Sequence, residues 1–166
     1  MRRGIQRRRD GTYGVRLPTE ERDVLAALPG QIREALAAGE PTLHRLFPPA
    51  FVDDDAANME YARLVGTGLL EGKLRALEEL ERTAHDKSLS EDALHSWLGA
   101  LESLRLVLGT QLDVTEEGYG PLDVRNPEAP RLALYHWLSW LQEEVVQALS
   151  QALEDAHAVS DFESDT

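Results

Sequence analysis

The chain contains no cysteine among its 166 residues. That excludes a disulfide framework, thiolate metal ligands, a cysteine nucleophile and a thiol redox switch within it, so any sensing of oxidants happens on another molecule. Long apolar runs are missing as well. The longest uncharged one, from Leu132 to Gln142, is far short of the roughly 20 residues a bilayer crossing needs. The start, Met1 to Arg9, is basic but has no apolar stretch of the signal-peptide kind, which points to a cytoplasmic protein. No glycine cluster resembles a phosphate-binding loop or dinucleotide fingerprint, and Ser88, Ser90, Ser96 and Ser103 lie in no Gly-x-Ser-x-Gly elbow. Neither an enzyme nor a bound cofactor is expected.

Basic charge is scarce outside the first sixteen residues. There, six arginines against one aspartate give +5; with a total of −13, the remainder carries −18. Such an acidic body repels phosphates, so protein partners are the first expectation and DNA contact would rest on the arm alone. Length and a 42% hydrophobic composition fit one domain with a real core.

The pattern predicts a mainly α fold, a helical bundle of about five helices preceded by a short β-hairpin. Residues 1–17 form a basic arm of the same domain, 18–157 the bundle and 158–166 an acidic flexible tail. Asp10-Gly11 is a turn signal between Ile5 and Leu17, with Tyr13, Val15 and Leu17 alternating behind it. Pro18-Thr19-Glu20-Glu21 starts a helix with Thr19 as N-cap, whose stripe Val24, Leu25, Leu28, Ile32 and Leu36 passes Pro29-Gly30, a predicted kink or break. Pro41 opens a short turn through Leu43 and Leu46. A long helix follows from Ala56 to about Ala84, capped by Asp55, with Met59, Gly66, Leu70, Leu74 and Leu77 on one arc. Ser90 caps the next helix, with Leu89 and Leu94 placed as a staple. Val114 to Pro130 reads as a long loop, and the last helix runs from Arg131 to about Ala156.

Arg105 falls inside the apolar arc of Leu94, Trp97, Leu98, Leu101, Leu104 and Leu108. Gln142 occupies an equivalent place among Leu134, Leu138, Leu141, Val145 and Leu149. With Arg63 and Lys73 in or beside the arc of the long helix, these residues make a candidate buried polar network. Spacing leaves open whether Gln142, Glu143 or a residue of the long helix partners Arg105. An ionic pairing there would make Arg105→Ala cost roughly 3 to 5 kcal/mol.

The last helix is apolar around its circumference: Trp140 points nearly opposite Leu138 and Leu141, while Trp137 lies to the side. Such a helix is either central and wrapped by the others, or meets a homodimer mate or another partner through Trp137 and Trp140.

Glu81/His85, Glu91/His95 and Glu154/His157 have helical spacing compatible with shared metal ligation, but each pair sits near a helix end. Exposed ion pairs explain them better, so no metal site is expected. Arg7, Arg8 and Arg9 are the best candidates for contact with nucleic acid or a partner, since guanidiniums on a hairpin strand can track phosphates. The same arm could instead dock on the acidic C-terminal end.

Three blocks resemble an actinobacterial family, the AosR-like oxidative-stress regulators, long catalogued as a domain of unknown function. They are Pro41-Thr42-Leu43-His44-Arg45-Leu46-Phe47-Pro48, then Leu101 through Gly109, then Tyr135 through Val146, in that order behind a basic hairpin. Arg105, Gln142 and Trp140 fall on family positions. The resemblance implies a non-enzymatic cytoplasmic regulator of oxidative-stress transcription acting with a sigma factor or RNA polymerase. It also implies genomic neighbours in Clp proteolysis and cysteine biosynthesis, hence an alternative role as an adaptor to Clp or sulfur-pathway proteins. The family's cysteine-pair switch has no counterpart in this sequence.

Overall fold

A computed structural model describes residues 2–38, 67–112 and 127–164. The Pro41 turn, Asp53 to Asp55, Met59, Arg63, Gly66 and most of the Val114 to Pro130 segment lie outside these residues. The fold is mainly α, a helical bundle with a small N-terminal sheet. Strands β1 (Gly4–Arg7) and β2 (Tyr13–Arg16) form an antiparallel hairpin with Ile5 opposite Val15 and Arg7 opposite Tyr13. Its turn uses Gly11 at a φ of 84°, a left-handed conformation open to glycine, and the Asp10 carboxylate accepts both the Thr12 N–H (2.9 Å) and its hydroxyl (2.6 Å). Those two bonds hold the Asp10 carboxyl below its ordinary range.

A hairpin alone is marginal. Here β3 (Ser88–Leu89) adds to the β2 edge, with Leu89 opposite Tyr13 and the Val15 N–H donating to Lys87 O at 2.9 Å. Sequence reasoning treated Leu89 only as half of a staple; its two-residue strand is too short to leave a periodic signal.

Helix α1 (Thr19–Ala38) runs through Pro29 as one element, so the predicted division does not occur. Pro29 forfeits one N–H bond, but its ring is fully buried, and packing of Leu25, Leu28 and Ile32 against the bundle outweighs that loss. The helix begins one residue earlier than expected, with Pro18 O accepting the Arg22 N–H at 3.1 Å.

Helix α2 (Thr67–Thr83) leads through a tight turn to β3, and α3 (Glu91–Gln111) starts at Ser90, whose hydroxyl accepts the Ala93 N–H at 3.1 Å. Helix α4 (Ala129–Ser164) continues eight residues past Ala156, where its sequence stripe fades.

The central helix is α3 rather than the last one. Trp97, Ala100, Leu101 and Leu104 are buried, with α2 and α4 packed on either side and α1 across α2 and α3. Trp97 donates its indole N–H to the Thr83 hydroxyl (2.7 Å), which donates to Glu79 O (2.6 Å), so the largest core side chain is fully satisfied. Helix α4 buries Leu138, Leu141 and Val145 against α3 and carries the hairpin on another face. Among the described residues, these two packed faces account for much of its apolar circumference.

Candidate interaction site: the basic hairpin on the last helix

The arm lies on α4 through a set of ties that begin at Glu144. This carboxylate is buried, 7% exposed; Arg2 Nη2 donates to its Oε1 at 2.8 Å and the Ile5 backbone N–H points at its Oε2 from 3.4 Å. Glu144 therefore covers an outward amide of the edge strand β1, which protects that edge from pairing with another chain. Gly4 makes the approach possible: its φ is 131°, and a Cβ there would collide with the Glu144 carboxylate.

Arg3 pairs with Glu21 of α1 and sets its guanidinium 4.4 Å above the Trp140 ring. Arg7 donates to Asp155 at 2.8 Å, near the exposed end of α4. Arg8 lies across Gly14 on the outer side of the sheet, while Arg9 and Arg16 are exposed. The triplet Arg7-Arg8-Arg9 is thus split three ways: one guanidinium faces an acidic helix, one spans the sheet and one faces solvent at the turn.

Arg22 was missed by the sequence reasoning and is the more deeply buried arginine, 8% exposed. Its guanidinium donates to four backbone carbonyls: Val15 O (2.8 Å), Leu17 O (3.1 Å), Ala84 O (3.1 Å) and Asp86 O (2.7 Å). One side chain joins β2, the start of α1 and the turn after α2, and so fixes the sheet on the bundle. The available signal was its place on the arc of Leu25, Pro29 and Ile32.

Arg105 sits at the rim of the core, half-buried. Its Nη1 donates to Gln142 Oε1 at 2.7 Å, Nη2 reaches the Tyr135 hydroxyl at 3.4 Å, and Nε is buried without an acceptor among the described residues. The full burial expected for it is not what the fold provides. Its partners are a neutral amide and the face and hydroxyl of Tyr135, whose ring centre is 5.3 Å away. Lys73 is half-buried on α2 and no hydrogen bond among the described residues joins it to this pair; Arg63 lies outside them.

Trp140 is half-buried beneath Arg3. Trp137 is half-buried in a groove facing α1, with Glu20, Glu21, Val24, Ala133 and Leu134, and its indole N–H has no acceptor among the described residues. Of the histidine pairs, His95 stands 3.8 Å from Glu91, while His85 contacts Asp23 at 2.7 Å instead of Glu81, which pairs with Arg33. Among the described residues no three metal-ligating side chains cluster, and no helix is long and apolar enough to cross a membrane.

The arrangement offers ionic surfaces along the arm and apolar ones beside Trp137. The oxidative stress regulators AosR of Mycobacterium bovis and Mycobacterium tuberculosis are each 28% identical to the chain, covering 80% of it and 67% of their own length. No solved structure matches. The model of the domain of unknown function DUF2017 matches residues 1–149, and the chain belongs to that family, as a relative of the AosR regulators.

Proposed function

We propose that the chain is a non-enzymatic cytoplasmic regulator of stress transcription that works by binding protein, a sigma factor or RNA polymerase, and without a cysteine switch of its own. The observation that carries this reading is the similarity to AosR over 80% of a chain that contains no cysteine. The kinship supports the regulatory role; the missing thiols assign oxidant sensing to a partner. In this reading the domain is a single unit comprising arm and bundle, and the half-buried Arg105–Gln142 pair contributes core specificity rather than chemistry.

A second reading, an adaptor to Clp or sulfur-pathway proteins with no DNA contact, is favoured by one feature. Arg2, Arg3 and Arg7 face carboxylates of this chain, so half of the arm's arginines are engaged before any phosphate arrives. Gel filtration of the purified protein with RNA polymerase, with and without a stress sigma factor, separates the two. Co-elution supports the regulator; absence of co-elution alongside retention of a Clp or sulfur-pathway protein replaces it with the adaptor.

A further inference from the structure

Helices α1 and α4 both pack on α3, and among the described residues a groove lies open between them. Its α1 wall is the stripe Val24, Leu28, Gln31 and Ala35; its α4 wall includes Leu134, Trp137 and Leu138; Leu104, Val107 and Leu108 of α3 form the floor. Two hollows of about 200 and 270 Å³ adjoin at Leu134. From Val24 to Ala35 their α1 side spans roughly 16 Å, three turns of helix.

The lining is apolar and partly open: Val24 is 39% exposed. The α1 margin is acidic: Glu21 is taken up by Arg3, but Glu20 and Glu34, at 100° per residue, border the α1 stripe on its solvent side. The cation in the lining, Arg131, already faces Glu128 at 3.8 Å. A groove between helices with apolar walls and an acidic α1 margin is complementary to an amphipathic helix that carries leucines on one face and lysines or arginines beside them. We propose that this groove is the docking site for such a cationic amphipathic helix of a partner protein. The proposal rests on the partner-mediated reading above and names the surface that serves it.

The test uses calorimetric titration of the full chain with two synthetic helices of about four turns, sharing one leucine face and differing only in lysine or glutamate on the flanks. The lysine helix should bind, and Val24→Arg and Glu20→Lys should each weaken it about tenfold. Glu102→Lys, exposed on the opposite side of α3, should leave binding unchanged. Equal binding of the glutamate helix, indifference to Val24→Arg and Glu20→Lys, or no binding of the lysine helix would overturn the proposal. Recovery of the same cellular partners by the wild type and the Val24→Arg protein would overturn the groove while leaving the regulatory reading intact.

Discussion

Two arginines lie on apolar arcs, and their surroundings decide what each contributes. Arg22 is buried and satisfies four carbonyls, so Arg22→Leu should cost about 3 kcal/mol or more in urea denaturation, because those carbonyls lose a charged donor inside the fold. A loss below about 1 kcal/mol would contradict the anchoring role. Arg105 is half-buried on neutral partners, and Arg105→Ala should cost less, about 1 to 2 kcal/mol. At Gly4 the backbone is left-handed and crowded by Glu144, so Gly4→Ala should destabilise by about 2 kcal/mol.

Tyr13 is fully buried. Burial pushes its phenol pKa above the ordinary 10.0, the charge of Glu91 adds to this, and Arg7 opposes it. A raised pKa means that the native state prefers the neutral phenol. Its contribution is complete below pH 10.0 and declines as pH rises through the folded value. Stability should fall in that alkaline range, and Tyr13→Phe should flatten the fall. The contact of Arg105 with Gln142 could be anticipated because both interrupt apolar arcs at equivalent places. Arg22 could not be paired the same way, since backbone carbonyls carry no residue signature.

Among the elements, the helical stripes, the Asp10-Gly11 turn and the Ser90 cap were legible because each has a local cause: periodicity, a left-handed glycine, a side-chain acceptor. What escaped depends on distant contacts. β3 exists through pairing with Tyr13 and Gly14, α1 survives Pro29 through burial, and the position of the hairpin is set by carboxylates some 140 residues away. The Glu144 contact gives a test at this scale. In Glu144→Ala the Ile5 amide should exchange with deuterium faster than in the wild type, while Glu144→Gln, which keeps an acceptor oxygen, should restore much of the protection. Unchanged exchange in the alanine variant would mean that β1 is held by its pairing with β2 alone.

The whole molecule joins a +5 arm to a −18 body, and the structure folds part of the first onto the second. Composition alone leaves the arm available for phosphates; the geometry assigns Arg2, Arg3 and Arg7 to this chain's own acids and leaves Arg9 and Arg16 outward. The regulatory resemblance was legible only through the family blocks, because a surface that recognises protein would need no motif of fixed spacing. Partner-mediated regulation is tested most directly by purifying the tagged protein from its own cells, with and without oxidant, treating with nuclease, and identifying the retained proteins by mass spectrometry. Nuclease-resistant recovery of a sigma factor or RNA polymerase is the predicted result. Recovery of those proteins only while nucleic acid is intact, or of Clp and sulfur-pathway proteins in their place, would contradict it.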